Sequence, residues 1–393
     1  SSRTSVRILM VLTYYYPHWT GLTAFAQRIA EGLAARGHRV TVLTSRYARS
    51  LAREEVHNGV RIVRVPSWFR LSRGQVMPAI VPALRRLIPE HDVVQVHTPM
   101  LETWLVSALA HRAGRPMLMT HHGDLVMPAG VWNQTVQRVV GWLLSQGARA
   151  ADRISMYTQD YIDHSDFLRP HRDKVVPVYP PVVFPRPNLV EAERWRRSLG
   201  LDGAPLVGFA GRFVEEKGFD YLLQAIPRLV ERHPDVRLAF AGETGVVYEA
   251  FYQRCRPLIE AHADRLAMLG LITDPQRMAD FYAMCDVFAL PSRSDCLASV
   301  QIEAMLCGTP VVATNIPGAR EVVRVTGMGV LVEPRNPAAL ADGLAAVLDD
   351  PACYHRPYEA IRSIFDPDRA IRDYEALLGE MAACREGACR GAA

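Results

Sequence analysis

Residues 287–314 read VFALPSRSDCLASVQIEAMLCGTPVVAT. VFALPS is a short apolar run of strand length, RSDC is a loop, an apolar helical segment starts near Ser299, and PVVAT is a second β-branched strand. A helix inserted between two buried strands brings the chain back to the same edge, so the strands are parallel and lie in an open α/β sheet. The helix is mostly apolar, yet it contains Glu303, and seven residues separate this acid from Asp295 in the loop. Glu is rarely buried without a partner, because desolvating a lone carboxylate costs too much. Both acids follow the carboxyl end of a strand, where sheets of this kind bind ligands.

The same alternation runs outward in both directions. APLVGFAG, VRLAFAG, LAMLG and GVLVEP are further strands of the second half, each followed by a helical segment, and DRAIRDYEALLGEMA is a last amphipathic helix. In the first half VRILMVLT, HRVTVLT, RIVRVP, DVVQVH, PMLMTHH and DRISMYT are strands. AFAQRIAEGLAARG is a helix with Phe25, Ile29 and Leu33 on one face and Gly37 as its stop. VVPVYPPVVFPRPN breaks the rhythm. Pro177, Pro180, Pro181, Pro185 and Pro187 exclude a regular element there and stiffen a connector. The expected fold is α/β, with two Rossmann-like doubly wound domains facing across a cleft. The first spans 1–183 with a proline-rich hinge at 177–188, the second spans 184–366, and 367–393 is a final helix and tail.

Bulk composition fits this size and class. The 393 residues are 49% hydrophobic and 22% charged, as in a soluble protein with a large core. A net charge of +4 is too weak to imply nucleic acid. No apolar run reaches the ~20 residues of a membrane span. SSRTSVRILMVLT enters a strand directly, so no signal peptide is expected. The seven cysteines fit no zinc spacing, which points to a reduced, cytosolic chain. CREGAC near the end reads as a frayed tail or as a metal-binding pair.

Four loops can carry chemistry. In YYYPHWTGLT, Gly21 opens a helix whose N–H groups and dipole can meet a phosphate, although the segment also reads as an ordinary turn. No G-x-G-x-x-G accompanies it, which counts against a nicotinamide or flavin site. Tyr16, His18 and Trp19 either line a cleft or pack. In GFAGRFVEEKG a strand ends at Gly211, and Arg212 and Lys217 stand five residues apart at its edge. Arg offers a planar fork and Lys a mobile charge, a pair suited to a diphosphate or simply to solvent. MTHHGD and VHTP put His122, with His121 and Asp124 beside it, and His97 at strand ends, suited to hydroxyl recognition, proton transfer or structural hydrogen bonds. In the opening stretch Glu303 suits the two hydroxyls of a ribose or a basic neighbour, Asp295 faces whatever lies beyond the phosphates, and the N–H groups of the early helix add an anion site.

Taken together, GR…EKG, AG, LPS with its spaced acids, AMLCGTPVVAT, GAREVV and GVLVEP, preceded by YYYPHWTG…GHRVTVLT and THHGD, resemble the retaining glycosyltransferases of family 4, with the GT-B fold. The resemblance covers nearly the whole chain. It implies an acceptor-binding first domain, a second domain that binds a nucleotide-sugar, and a last helix that crosses back to the first domain. It implies that Arg212 and Lys217 hold the donor diphosphate, Glu303 the ribose and Asp295 the donor sugar, with the backbone of Gly211, Leu297, Ala298 and Ser299 also at the donor. His122 then stands near the reacting centre and Gly21 beside the phosphates. The chain departs from the family in having Asp295 where Glu is usual, Cys296-Leu297-Ala298 for Gly-Phe-Gly, and Thr20-Gly21 and Pro317-Gly318 for Gly-Gly pairs.

The expected activity is transfer of a sugar from a UDP- or GDP-sugar, with UDP slightly favoured, to a hydroxyl of a glycan, lipid or small molecule. The resemblance implies retention by a front-side route without a divalent cation, and no cofactor beyond the donor substrate. The rival readings are a nucleotide-sugar epimerase and a non-catalytic nucleotide-sugar binding protein. SWFRLSRGQVMPAIVPALRRLI, with Trp68, Phe69, Arg70, Arg73, Arg85 and Arg86, and VMPAGVWNQTVQRVVGWLLSQGARAAD, with Trp132 and Trp142, read either as packed helices with a wet arginine face or as a membrane-contacting surface. The expected location is therefore cytoplasmic, with the inner face of a membrane and a lipid-linked acceptor as the alternative.

Overall fold

The computed structural model describes residues 5–71, 74–124, 131–245 and 250–384. It contains two compact units. One runs to Pro181 and takes up the chain again at Pro367, and the other runs from Val182 to Asp366.

The first unit contains β1 (Arg7–Val11), β2 (Arg39–Arg46), β3 (Glu54–His57), β4 (Val60–Pro66), β5 (Phe69–Leu71), β6 (Gly74–Val76), β7 (Val93–Thr98), β8 (Met117–His121), β9 (Arg153–Met156) and β10 (Val175–Pro177). Eight of these form one sheet in the order β10-β9-β8-β7-β1-β2-β4-β3. β3 pairs antiparallel with β4, and the other pairings are parallel. β5 and β6 form a separate hairpin. The central strands are buried throughout, in keeping with helices on both faces. Phe25, Ile29 and Leu33 of the helix Gly21–Ala35 share a core with Tyr374, Leu377, Leu378 and Met381 of the last helix, Pro367–Ala383.

The second unit is a six-stranded sheet of β11 (Leu206–Ala210), β12 (Arg237–Ala241), β13 (Leu266–Gly270), β14 (Val287–Leu290), β15 (Val311–Thr314) and β16 (Gly329–Val332). Its order is β13-β12-β11-β14-β15-β16, all parallel. Phe209, Phe213, Phe219 and Phe240 pack ring against ring in its core.

Both sheets reverse direction beside their first strand. In the first unit the chain goes from β1 out to β2 and β4, then returns to the other side of β1 as β7. In the second it goes from β11 to β12 and β13, then returns beside β11 as β14. At such a point the loops leaving adjacent strands diverge and open a crevice at their carboxyl ends. The loops after β11 and β14 are the ones that carry Arg212, Lys217 and Asp295.

Two local readings are corrected. The segment from Val175 was expected to hold no regular element, but β10 includes Pro177 as its last residue. β10 is an edge strand, where a missing N–H costs no ladder bond. Residues 67–88 are not simply helical: the hairpin β5–β6 precedes the helix Ile80–Leu87, on which Arg85 and Arg86 are exposed. The side chains of Phe69, Arg70 and Trp132, and the whole of Arg73 and Cys389, lie outside the described residues. Among the described residues no helix is long and apolar enough to cross a membrane.

Candidate active site

In the second unit the chain leaves β11 through Gly211 and the exposed Arg212, then makes a short turn, Glu215–Lys217, before the helix Phe219–Arg232. Two glycines make room for this path. Gly218 has φ 70°, and a Cβ there would sit 1.9 Å from the Pro291 carbonyl oxygen, so the turn lies directly on the β14 loop. At Gly242 a Cβ would sit 1.8 Å from the Gly211 carbonyl oxygen.

The close approach brings Lys217 to Asp295, with Nζ 2.7 Å from Oδ2 and the carboxylate largely buried. Burial works against the Lys217 charge, but the Asp295 carboxylate outweighs it, and the ammonium is held above its ordinary pKa. Burial, with Asp295 adding to it, pushes the neighbouring Cys296 thiol up to about 12, so this cysteine stays protonated.

The loop then reaches Leu297, which is buried, and Ala298, which adopts the left-handed conformation (φ 59°) just before the helix Ser299–Leu306. An alanine there bears backbone strain of roughly 1 kcal/mol that glycine would not. The buried Gln301 holds the bend, donating to the carbonyls of Leu297 (2.6 Å) and Ala319 (2.9 Å). No side chain caps this helix, so its first N–H groups are available to an anion.

Glu303 is half-buried one turn on. One partner within the chain is a tyrosine that the sequence reading did not raise. The fully buried Tyr282, from the helix Pro275–Met284, donates its hydroxyl to Oε2 at 2.9 Å. Burial, and then the Glu303 charge, pushes the Tyr282 phenol well above its ordinary pKa, so it remains a donor. Sequence reasoning missed Tyr282, which lies on a different helix, and Arg293. The Arg293 guanidinium bonds Asp220 twice, at 2.6 and 2.9 Å.

In the first unit His122 follows β8. Its Nε2 meets His97 Nδ1 at 2.9 Å and its Nδ1 meets the Tyr157 hydroxyl at 2.5 Å, and the Phe25 ring lies edge-on at 4.7 Å. Asp124 pairs with His121 rather than His122, at 2.8 Å, and Ser165 donates to its other oxygen. Burial lowers the pKa of His97 to about 3 and that of His122 well below its ordinary value, so both rings are neutral hydrogen-bonding groups near pH 7. Gly21 starts its helix behind a Thr20–Thr23 capping box, and a Cβ at Gly21 would meet nothing within 4 Å. The packing therefore does not require glycine here. Tyr16 stacks on His57 and His18 on Tyr14, whereas Trp19 is exposed. Among the described residues no three His, Cys, Asp or Glu side chains are grouped as metal ligands.

Comparison with known proteins covers both units. A family model described as glycosyl transferases group 1 matches residues 191–364, and one described as a glycosyl transferase 4-like domain matches residues 20–181. The chain is 31% identical to a D-inositol 3-phosphate glycosyltransferase of Xylanimonas cellulosilytica, over 84% of each chain. It is 28% identical to a phosphatidyl-myo-inositol mannosyltransferase of Mycobacterium tuberculosis, over 88% of each. Among solved structures, sucrose-phosphate synthase from Thermosynechococcus elongatus superposes with a TM-score of 0.76 at 20% identity, covering 96% of this chain and 99% of that one. Two sheets, parallel but for one edge strand of the first, with a cation–acid pair at the switch point of the second, in a chain matched over most of its length by these relatives, place it in glycosyltransferase family 4, with the GT-B fold.

Proposed function

We propose that the protein transfers a sugar from a UDP- or GDP-sugar to an acceptor hydroxyl, with retention at the anomeric carbon and without a metal ion or further cofactor. The observation that carries this reading is the second unit's switch point, where Lys217 and Asp295 from adjacent loops meet at 2.7 Å beside an uncapped helix start. Arg212 and Lys217 hold the diphosphate, with the backbone of Gly211, Leu297, Ala298 and Ser299 adding N–H groups. Glu303, oriented by Tyr282, takes the ribose hydroxyls. Asp295 is displaced from Lys217 toward the donor sugar, and His122 and Gly21 serve the reacting end in the first unit.

The chemistry this requires is charge dispersal. The bond between the anomeric carbon and the leaving phosphate oxygen breaks and leaves negative charge on the nucleoside diphosphate. The acceptor oxygen bonds to the same face of the sugar, and its proton goes to the departing phosphate oxygen. Fixed cations and helix N–H groups aimed at that phosphate stabilise the transition state more than the ground state. Loss of Lys217 should therefore lower turnover roughly 100-fold, on the scale of a single oxyanion donor. The test is a panel of UDP-, GDP- and ADP-sugars assayed with Lys217→Ala beside wild type; near-wild-type turnover would remove this role. Incubation without acceptor separates transfer from epimerisation.

Relatives named for inositol phosphate and phosphatidyl-myo-inositol substrates support a polyol or lipid-linked acceptor. Trp104 and Trp142, with Val139, are exposed on the packed helices Thr103–Arg112 and Val131–Ala150, and Arg112 and Arg138 are exposed on the same helices. Exposed aromatic and cationic side chains on neighbouring helices suit a cytoplasmic protein resting on an anionic membrane surface. Sedimentation with anionic liposomes tests it, and recovery of the protein only in the supernatant would reject it.

A further inference from the structure

Arg293 has no part in the donor site as described, yet it ties together the two chain segments that carry Lys217 and Asp295. It stands on the loop after β14, two residues before Asp295. Its polar contacts reach the Lys217 turn and the first turn of the helix that follows it. Its backbone N–H donates to the Glu216 carbonyl at 2.7 Å. Its guanidinium forms a fork with both Asp220 oxygens, at 2.9 and 2.6 Å, and donates to the Glu215 carbonyl. The same guanidinium lies 4.2 Å from the centre of the Tyr221 ring. The Arg293 and Asp220 side chains are 16% and 14% exposed, so the ion pair is mostly shielded from water. From the far side Arg254 holds the Glu215 carboxylate at 3.0 Å.

These contacts bracket Lys217. Lys217 and Asp295 hold each other at 2.7 Å. An arriving diphosphate competes for the ammonium, and the spacing of the two loops then has to rest on contacts the donor does not take. The Arg293 fork supplies such contacts, and lysine would not replace it. A single ammonium cannot bond two carboxylate oxygens in plane, reach a carbonyl and stack on a ring at once.

We propose that Arg293 is a positioning residue of the nucleotide-sugar site: with Asp220 it fixes the spacing between the Lys217 turn and the Asp295 loop, so that cation and acid are presented to the donor together. The inference rests on the donor-site reading above.

The experiment uses the full chain and UDP and GDP as probes in titration calorimetry, with thermal unfolding of every variant alongside. Arg293→Lys should weaken nucleotide binding about tenfold or more, and Asp220→Asn by a smaller factor, as expected for losing charge-assisted bonds. KM for the donor sugar should rise in step, while the unfolding midpoint of Arg293→Lys moves by no more than a few degrees. The swapped pair Arg293→Asp with Asp220→Arg should recover part of the lost affinity. Should Arg293→Ala fail to fold, the lysine variant and Asp220→Asn still carry the test. Variants that unfold earlier but bind nucleotide as wild type does when folded would overturn the proposal. Lys217→Ala losing affinity while Arg293→Lys keeps it would overturn this inference and leave the donor site standing. Absence of nucleotide binding by wild type would overturn both.

Discussion

Glu303 shows how one residue can be both costly and useful. A half-buried carboxylate on an apolar helix needs a donor, and the Tyr282 hydroxyl supplies it at 2.9 Å. That bond occupies one oxygen and sets the direction of the other. Tyr282→Phe keeps the ring, which is fully buried against Phe281 and Phe288, and removes only the hydroxyl. Hydrogen bonds to charged groups contribute about 1.5–3 kcal/mol to stability, so the variant should lose about that much, and nucleoside diphosphate affinity should fall roughly tenfold as Glu303 loses its orientation. Calorimetric titration of the variant checks this, and an unchanged Kd would mean that Glu303 does not touch the ligand. At this scale the sequence exposes the acids and hides their partners. Glu303 is legible because it interrupts an apolar helix, and Asp295 because it follows a strand end. Tyr282 and Arg293 carry no such local signal. What gives each its role is a contact across 21 or 73 residues of chain, which no local pattern encodes.

Among the elements, the ends of β7 and β8 carry a strain of a different kind. His97 and His122 share one hydrogen bond, and His97 Nε2 is buried without a partner. Phe25 and Tyr157 close around them, and His121, paired with Asp124, lies on the other side. Neither imidazole takes up a proton readily in the folded chain: His97 is lowered to about 3, and His122 is lowered too, both first by burial. In the unfolded chain both titrate near 6.5. Above that value neither state binds the protons and stability is flat. Below it the unfolded state takes up protons that the folded state refuses, so stability is lost as pH falls from about 6.5 toward 3. The slope reaches about 1.4 kcal/mol per pH unit for each histidine. Asp124 adds to the loss only at lower pH: burial raises its pKa, the His121 contacts outweigh this, and its carboxyl stays below the ordinary value. Urea unfolding midpoints should therefore fall steadily from pH 6.5 to 5, and His97→Asn should show the shallower slope. A midpoint independent of pH over that range would contradict the assignment. The histidines themselves are legible as strand-end residues, but the pairing of His121 rather than His122 with Asp124 is not. Adjacent side chains at a strand end point to opposite faces, and only the fold decides which face holds the acid.

For the whole molecule, the consequential feature is that the first unit is built from two separate parts of the chain. Its second part is the helix Pro367–Ala383, which sequence reading foresaw as amphipathic but assigned to the first domain only through the family resemblance. The helix buries Tyr374, Leu377, Leu378 and Met381 against Phe25, Ile29 and Leu33. Its Glu375 pairs with Arg36 at 2.7 Å and His38 at 2.8 Å. The Tyr374 hydroxyl bonds Ser155, and Ser155 bonds Thr120, next to His121 on β8. Burying each of the four apolar side chains contributes about 1.5–3 kcal/mol, so the helix supplies roughly 6–12 kcal/mol, as much as the whole stability of an ordinary domain. None of its residues belongs to the second unit's core cluster, which lies between Val207 and Val347. A chain ended at Asp366 should therefore lose the first unit and keep the second. Calorimetry should show one unfolding transition in place of two, and brief proteolysis should cut within residues 5–181 and spare 182–366. Nucleoside diphosphate binding should survive in the truncated chain while sugar transfer is lost. Two intact transitions after truncation would mean that the helix is packed on the first unit without holding it together.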